Sequence, residues 1–345
     1  MSRSARVLVV CTHGVGDVLM SLPMLQSLRD GLGKARIEVL LRGPLQAEVF
    51  EHQELGLELS YLCELRDSAR RTVTALRRWR RERIDWLISG FNVHPLKSLL
   101  LGWLVGPRRT VGFAADGRRL PFTHCLRPIG VHKVQENLRL LDVLGLEPTS
   151  CSPRWKTTEE ELLHARSLLR QSLGGRDILA VTPGCTPSEA FKRWPAGRYA
   201  AVAEGLAAKF ELGVVVLGGP GEEDLAKPLL RVAGRGVAVL DAVGRLSLRQ
   251  IAACLQQSRL VLGGDCGLTH IAASLGVPVL TLMGPTEPQI TAPRGEKAHV
   301  LRSRHGCLGC YQKGLRIDPA CTQPRCMQSI TVEEVIDAAE RLWKS

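Results

Sequence analysis

Asp17 is the first residue whose type and position could do chemistry. It follows two glycines, Gly14 and Gly16, between an apolar run at residues 6–10 that predicts a β-strand and residues 18–31 that predict a helix. Glycines at such a junction let a ligand approach the backbone at the start of the helix. Asp17 could cap the helix, where the dipole favours a carboxylate. It could instead be a general base at the carboxyl end of the strand, where open α/β sheets place their ligands.

The same loop argues against two common nucleotide sites. A dinucleotide-binding fingerprint needs a third glycine, and Leu19 stands at its position. Asp17 would also repel a pyrophosphate there. The pair Gly33-Lys34 lacks both the upstream glycine and the following Ser or Thr of a P-loop. We therefore expect neither NAD binding at this loop nor a P-loop NTPase.

A second group of polar residues follows the apolar run at residues 260–262. Asp265 comes directly after two glycines that end the predicted strand, and Gly267 begins a predicted helix that runs to Leu275. The free amides at the start of that helix would form a natural diphosphate site. His270 lies one turn into the helix, within reach of a phosphate oxygen or a ribose hydroxyl. Alone it would be a structural histidine, but its neighbours favour a ligand pocket.

A third group lies in the loop at residues 182–195, between a predicted strand and a helix that Pro195 begins. This loop contains Lys192 together with two hydroxyl residues, Thr186 and Ser188. A lysine at such a junction can neutralise a diphosphate as a point charge. A solvated surface lysine is the alternative, and the pattern leaves both open.

Together these three stretches resemble glycosyltransferase family 9, the ADP-heptose:lipopolysaccharide heptosyltransferases. The matching segments are GVGDVLMSLPMLQSLR from Gly14, PGCTPSEAFKRWP from Pro183 and GGDCGLTHIAASLGVPVLTLMGPTEP from Gly263. Weaker similarity extends over nearly the whole chain. The resemblance implies an α/β fold of the GT-B type, with two Rossmann-like domains facing a central cleft. It also implies sugar transfer with inversion at the anomeric carbon and without a metal ion.

The resemblance also assigns roles to individual residues. Asp17 matches the family's base, with Gly14 and Gly16 beside it on the acceptor side, and Lys192 matches a phosphate-binding lysine. Cys266 replaces the usual Ser or Thr of the donor-binding turn, and a thiol is the weaker hydrogen-bond donor. The further donor-binding residues implied are Asp265, Cys266, Gly267, His270, Glu222, Thr186 and Ser188.

The implied function is transfer of a heptose, or a similar sugar, from a nucleotide-sugar to a lipopolysaccharide core acceptor. ADP-heptose is the expected donor, an anionic glycolipid is the expected acceptor, and no cofactor is expected. Two alternatives remain open: a nucleotide-sugar epimerase on the same fold, and a non-catalytic basic protein that binds polyanions. An epimerase needs acid and base groups on both faces of the sugar, and only Asp17 is an obvious candidate.

The elements that must position these residues alternate along the chain. Short aliphatic runs alternate with helical stretches, which predicts parallel strands joined by crossover helices. Two such series indicate an acceptor-binding domain at residues 1–156 and a donor-binding domain at 157–330, followed by a helix at 331–345. Thr158 and Glu161 have the spacing of a capping box, which predicts the start of a helix.

Charge favours anionic partners. The chain has 46 basic and 34 acidic residues, a net charge of +12, and many of the arginines lie between Arg66 and Arg83. Leu65, Val73 and Trp79 recur there at helical spacing, with Ala69 and Leu76, so this stretch predicts an amphipathic basic helix. Its arginines are either a solvated face or a docking surface for a membrane or an anionic glycolipid. Aromatic residues make up only 4%, so nucleic-acid binding is not expected.

Two further patterns predict where the protein resides. The apolar runs fall well short of the ~20 residues that a membrane span needs. The N-terminal stretch is too short in its apolar part for a signal peptide. We therefore expect a cytoplasmic protein, peripheral to the inner membrane.

The 11 cysteines are spread through predicted strands and helices, which argues against a disulfide framework. Four of them form a group near the C-terminus. Its first pair has the spacing of a zinc or iron–sulfur site, but the second pair is separated by four residues, which is less typical. Structural thiols are the alternative, and no metal is assigned. The four candidates are Cys307, Cys310, Cys321 and Cys326.

Overall fold

A computed structural model describes residues 4–91, 93–114, 122–305, 310–311 and 324–344. The chain forms two compact units, Met1–Arg154 and Trp155–Ser345. Each unit contains one six-stranded sheet in which every described pair of neighbouring strands is parallel. This confirms the predicted α/β class.

The first unit begins with strand β1 (Arg6–Cys11), which leads through a short loop into helix α1 (Val15–Leu32). The strands lie across its sheet in the order β3-β2-β1-β4-β5-β6. The remaining strands and helices are, in chain order, β2 (Arg36–Leu41), β3 (Glu58–Tyr61), α2 (Leu62–Asp67), α3 (Ala69–Glu82), β4 (Trp86–Ser89), α4 (Pro95–Val105), β5 (Arg109–Phe113), β6 (His124–Leu126) and α5 (Lys133–Asp142).

The second unit begins with helix α6 (Glu159–Leu173) and strand β7 (Asp177–Thr182). Its strands lie in the order β12-β11-β10-β7-β8-β9. The remaining elements are α7 (Ala196–Ala207), β8 (Leu212–Val216), α8 (Glu223–Ala233), β9 (Ala238–Asp241), α9 (Leu248–Gln256), β10 (Leu260–Gly264), α10 (Gly267–Ser274), β11 (Val279–Met283), α11 (Pro288–Thr291), β12 (Ala298–Arg302), α12 (Arg325–Gln328) and α13 (Val332–Lys344).

Both sheets have the same strand arrangement. In the first, the chain builds outward from β1 and then resumes at β4 on the other side; in the second, it builds outward from β7 and resumes at β10. Ligands of open α/β sheets bind outside the carboxyl ends of the strands at this reversal of order. Asp17 follows β1, while Lys192 and Asp265 follow β7 and β10. The strand order therefore places the predicted residues at the switch point of each sheet.

Helices α3 and α4 pack on one face of the first sheet. Trp79 of α3 and Val105 of α4 are buried against the strand residues Leu8 and Leu87. The Trp79 indole donates a hydrogen bond to Glu38 Oε2 at 3.0 Å, which partly satisfies a carboxylate that is only 3% exposed. This contact fixes the basic helix on the sheet.

The predicted single basic helix is in fact two helices. Ser68, with an extended backbone (φ −145°, ψ 109°), separates α2 from α3, and its hydroxyl accepts a hydrogen bond from the Arg71 amide at 3.3 Å. A serine favours such a break because its side chain caps the new helix. Within α3 the less exposed stripe is Thr72, Ala75, Leu76 and Trp79. Val73 lies beside this stripe and is 44% exposed, although it was predicted on the buried face.

The core of the second unit surrounds Trp194 and Tyr199, whose rings meet edge to face with centroids 4.9 Å apart. Trp343 of α13 belongs to the same core and is 3% exposed. The predicted capping box is confirmed: Thr158 Oγ1 accepts from the Glu161 amide at 3.2 Å, and Glu161 Oε2 accepts from the Thr158 amide at 2.8 Å. Across the described part of the chain, no helix combines the length and the apolar character needed to cross a bilayer.

Candidate active site

A pocket lies at the switch point of the first sheet. It is bordered by the end of β1, the first turn of α1, the loop after β4 and the start of α5, and its lining includes Cys11, His13 and Gly90. Asp17 lines this pocket from the first turn of α1. Gly14 precedes that helix, and a Cβ there would meet nothing within 4 Å. The backbone beside Asp17 is therefore open to a ligand.

Asp17 forms an ion pair with Lys133, the first residue of α5. The Lys133 Nζ and Asp17 Oδ1 atoms are 2.8 Å apart, and the two side chains are 16% and 28% exposed. The pair places a carboxylate, a group that can act as a general base, in the lining of the pocket. The motifs do not predict Lys133. A cation at a helix N-terminus opposes the helix dipole, and this unusual placement is the signal that could reveal it.

Hydrogen bonds of Asn137 and Ser21 connect the elements that border the pocket. Asn137 Oδ1 accepts a hydrogen bond from the Phe91 amide at 2.9 Å, which fixes the loop after β4. Asn137 Nδ2 lies 3.4 Å from the Ser21 hydroxyl, and that hydroxyl donates to the Asp17 carbonyl at 3.0 Å. Burial raises the pKa of the neighbouring Cys11 thiol to about 12, so this cysteine is a neutral packing group.

Three predicted residues of the second unit are buried in one cluster. Lys192, Asp265 and His270 are 9%, 6% and 7% exposed. Lys192 Nζ lies 3.3 Å from Asp265 Oδ2 and 3.0 Å from Glu189 Oε2. His270 Nε2 lies 3.7 Å from Asp265 Oδ1. The three residues come from two separate stretches of the sequence, one after β7 and one after β10, and the carboxyl ends of these neighbouring strands bring them together.

The charges in this cluster stabilise one another. Burial alone would raise the pKa of Asp265, but His270, the Lys192 ammonium and the Thr286 hydroxyl hold it well below its usual range. Burial alone would lower the pKa of Lys192, but the charges of Asp265 and Glu189 raise it above its ordinary value. The cluster therefore keeps a buried ammonium and a buried carboxylate, both ionised, at neutral pH.

The turn between β10 and α10 has the predicted form. Gly267 begins the helix, and Cys266 is its N-cap residue. The Thr269 hydroxyl donates to the Gly264 carbonyl at 3.0 Å and so ties the helix to the strand end. Burial raises the pKa of Cys266 against the opposing influence of the Thr269 and Leu268 amides. A neutral thiol therefore occupies the N-cap.

Glu222 binds the backbone of its own loop. The Gly219 amide donates to Glu222 Oε2 at 2.9 Å, and Arg193 Nη2 lies 3.6 Å from Oε1. Gly184 approaches so closely that a Cβ there would lie 2.3 Å from the Glu222 carboxylate. Burial raises the pKa of Glu222, opposed by the Gly219 amide and the Arg193 charge. Glu222 thus links the loops that follow β7 and β8, and its contact with a ribose stays a prediction.

The loop after β7 contains residues of two kinds. Thr186 and Ser188 are exposed where a 3-10 helix, Pro187–Lys192, begins, whereas Lys192 at its end is buried. Tyr311 lies over that lysine, with its ring centroid 5.0 Å from Nζ, and its hydroxyl donates to Glu189 Oε1 at 2.8 Å. This is a cation–π arrangement that no motif predicts.

The C-terminal cysteine group lies only partly within the described structure. Cys307 and Cys321 lie outside the described residues. Cys326 is 2% exposed, and a Cβ on Gly284 would lie 3.0 Å from its sulfur. Cys310 Sγ lies 3.9 Å from the Pro285 carbonyl. The described residues contain no cluster of three His, Cys, Asp or Glu that could hold a metal. Because two of the four cysteines lie outside the described residues, metal binding by this group stays a prediction from the sequence.

Two parallel α/β units with the Rossmann strand order, each with polar residues at its switch point, define a protein of the GT-B class. The family model described as glycosyltransferase family 9 (heptosyltransferase) matches residues 76–320, more than half of the chain. The chain belongs to this family. Membership favours sugar transfer over the epimerase and the polyanion-binding alternatives.

Named relatives support the same family. Lipooligosaccharide heptosyltransferase 2 of Haemophilus influenzae is 31% identical over 144 residues, which is 41% of each chain. Lipopolysaccharide heptosyltransferase 2 of Escherichia coli K12 is 24% identical over 354 residues, which is 98% of each chain. The solved structure of E. coli heptosyltransferase WaaC with ADP is 19% identical, with a TM-score of 0.71 over 98% of this chain and 99% of that one. That structural likeness shows the shared fold.

Proposed function

We propose that this protein transfers a heptosyl group from ADP-heptose to the core of lipopolysaccharide. Family membership supports heptosyl transfer, and the names of the relatives support lipopolysaccharide as the acceptor. The fold neighbour WaaC was solved with ADP, which supports an adenine nucleotide as the carrier of the sugar. In this proposal the second unit binds the donor and the first unit binds the acceptor.

The observation that carries the proposal is the buried Lys192 cluster beside the start of α10. A buried ammonium next to free helix amides is suited to a diphosphate. The Glu189 side chain is 29% exposed and that of Asp265 is 7% exposed. An incoming diphosphate would therefore displace Glu189 as a partner of Lys192, while Asp265 keeps the lysine in place.

Asp17 is the base in this mechanism. Its carboxylate takes the proton of the acceptor hydroxyl as that oxygen bonds to the anomeric carbon, and the bond from that carbon to the ADP oxygen breaks on the opposite face. The configuration at the anomeric carbon inverts. Lys192, His270 and the α10 amides stabilise the charge that develops on the leaving diphosphate, so the step needs no metal ion.

The base is tested with Asp17→Asn, and Asp30→Asn on the exposed end of the same helix is the matched control. General-base assistance contributes about 10²–10⁴-fold, so kcat of Asp17→Asn should fall by that factor with little change in the KM for ADP-heptose. ADP release and the mass of the acceptor are measured together. A kcat near that of the wild type would rule out Asp17 as the base.

The other parts of the proposal have separate tests. Proton NMR of the product gives the anomeric configuration, and retention would rule out direct inversion. Thermal shift with ADP-, UDP-, GDP- and CMP-sugars identifies the donor, because a ligand that binds the folded state raises the Tm by mass action. The largest shift is expected with ADP-heptose. Dialysis against EDTA should leave kcat unchanged, and loss of activity that a divalent metal restores would contradict metal independence.

A further inference from the structure

Helix α4 is apolar on the side that faces solvent. Its residues Leu96, Leu99, Leu100 and Trp103 are 67%, 43%, 59% and 73% exposed. They stand at positions i, i+3, i+4 and i+7 of the helix, so they share an arc of roughly 100°. Single exposed apolar residues are ordinary, but four on one helix face form a patch that marks an interaction site.

The opposite side of α4 already packs on the sheet. The Ser89 and Ser98 hydroxyls hydrogen-bond at 2.8 Å, and Val105 belongs to the core cluster of that face. Packing within the first unit therefore does not explain the outer leucines. Apart from Lys97 and Ser98 the helix has no polar side chain, and an apolar helix face is normally covered, so the outer side of α4 needs a partner of its own.

Positive charge lies next to the apolar face. Arg80 of α3 donates from Nη2 to the Trp103 carbonyl at 3.4 Å, which joins the two helices at this point. Helix α3 carries six arginines and one acidic residue, Glu82, and Glu82 is occupied by an ion pair with Arg36 at 3.0 Å. The arginines that are exposed on α3 are Arg70, Arg71, Arg77, Arg80 and Arg81.

We infer that the outer surface of α3 and α4 docks this protein on an anionic lipid bilayer. The leucines of α4 enter the boundary between headgroups and acyl chains, and the α3 arginines bind lipid phosphates. Trp103 suits this boundary because its ring is apolar and its N–H is polar. Charge complementarity favours lipid: a nucleic acid would match the arginines but not the leucines. The inference holds whether or not the protein transfers heptose.

The test is co-sedimentation with vesicles of phosphatidylglycerol and phosphatidylethanolamine, compared with neutral phosphatidylcholine vesicles. The wild type should bind the anionic vesicles, and binding should weaken as salt rises, because salt screens the arginines. Leu100→Gln with Trp103→Gln should lower the partition coefficient at least about tenfold, through the loss of buried apolar area. Arg77→Gln with Arg80→Gln should lower it about thirtyfold at low salt, roughly fivefold for each arginine.

Matched controls come from helices of the second unit. Leu163→Gln with Leu230→Gln removes two exposed leucines elsewhere, and Arg166→Gln with Arg170→Gln removes two exposed arginines elsewhere. Both control variants should bind the vesicles as the wild type does. Equal loss in the controls, or no wild-type binding to anionic vesicles, would overturn the inference. Circular dichroism checks that each variant remains folded.

One further outcome assigns the surface to a different partner. If the wild type self-associates in analytical ultracentrifugation, ignores vesicles, and becomes monomeric on Leu100→Gln with Trp103→Gln, the face is a protein interface and the lipid inference is wrong. Transfer to a core saccharide without acyl chains is measured in parallel and should be unchanged in these variants. Loss of vesicle binding with normal transfer keeps the docking surface separate from the proposed reaction.

Discussion

Lys192 is held by two carboxylates in different surroundings. The side chain of Asp265 is 7% exposed, and that of Glu189 is 29% exposed. Removing one partner of a buried ion pair leaves an uncompensated charge and costs about 3–5 kcal/mol, whereas replacing both partners is often close to neutral. The difference between single and double variants can therefore separate the structural role of the lysine from its role in binding.

Lys192→Met should lower the free energy of unfolding by about 3 kcal/mol and greatly weaken ADP binding, because it leaves Asp265 buried without its cation. The double variant with Asp265→Asn should recover most of the stability but not the affinity for ADP. Urea unfolding and titration calorimetry measure the two quantities. Lys209→Met breaks an ion pair in which the lysine side chain is 53% exposed, and it should cost less than about 1 kcal/mol. Restored ADP affinity in the double variant would show that Lys192 is only structural.

The lowered pKa of Asp265 should make the stability of the protein depend on pH. Its pKa in the folded state lies below the ordinary value of 3.8, so its contribution to stability is present above pH 3.8 and is lost as the pH falls towards the folded pKa. The difference in unfolding free energy between the wild type and Asp265→Asn should be constant at neutral pH and should shrink below pH 3.8. Urea unfolding over a pH series measures it. A difference that grows on acidification would contradict the assignment.

Local sequence predicts some site residues better than others. Lys192, Asp265 and His270 could be predicted because each lies at a strand-to-helix junction rich in glycine or proline, which is a local feature. Lys133 pairs with Asp17 from 116 positions away, and Tyr311 pairs with Glu189 from 122 positions away. Such pairings depend on how the elements pack in three dimensions. The apolar periodicity of the sequence does not predict which distant residues will meet.

At the scale of elements, α6 is fixed to α9 by a buried two-point ion pair. Arg249 Nε and Nη2 donate to the two Glu161 carboxylate oxygens, each at 2.7 Å. The guanidinium also lies over the Trp155 ring, 5.1 Å from its centroid, and its side chain is 7% exposed. Glu161 is at the same time the acid of the capping box, so one carboxylate both begins α6 and attaches it to a second helix.

Arg249→Gln should destabilise the protein by about 3 kcal/mol, because it leaves the Glu161 carboxylate partly buried without its cation. Arg235→Gln is the matched control. It also removes a contact with both oxygens of a carboxylate, here from Arg235 Nη1 to Glu204, but the arginine side chain is 68% exposed, so the cost should stay below about 1 kcal/mol. The destabilisation of the two variants is compared through their urea midpoints of unfolding, with the m-value unchanged. Equal costs would mean that burial does not determine the strength of the α6–α9 link.

Helices and strands were not equally predictable. The helix over α6 could be predicted because its capping box and its apolar spacing agree, and the structure confirms it. The strands β3, β6 and β12 lie at sheet edges, and β6 has only three residues. These three strands have mixed side chains, so their pattern is weak, whereas the fourth edge strand, β9, contains the apolar run Ala238 to Leu240. The break at Ser68 was missed because the arginines on both sides of it have similar helical spacing.

At the scale of the molecule, the alternation of strands and helices was enough to predict the class and the doubled α/β arrangement. Each unit also has an apolar cluster of its own. Among the described residues, the cluster around Trp194 is built from the second unit, and α13 contributes Ala339 and Trp343 to it. The final helix is thus part of the core of the second unit, although the sequence pattern predicts it as a segment separate from that domain.

A fragment of residues 155–345 should therefore fold alone, with a cooperative urea transition followed by circular dichroism, because it contains every described residue of that core cluster. The same fragment ending at residue 330 should lose that transition, since it lacks the α13 residues that fill the core. Cooperative unfolding of the shorter fragment would contradict this dependence on α13.

The exposure of Trp103 affects the intrinsic fluorescence of the protein. The chain has six tryptophans, and Trp103 is 73% exposed. An indole in water emits at longer wavelengths than an indole in a core, and it is the first to be quenched by acrylamide. Long-wavelength emission of the unlabelled protein therefore reports mainly on α4. The buried tryptophans that contribute the shorter wavelengths are Trp79, Trp155, Trp194 and Trp343.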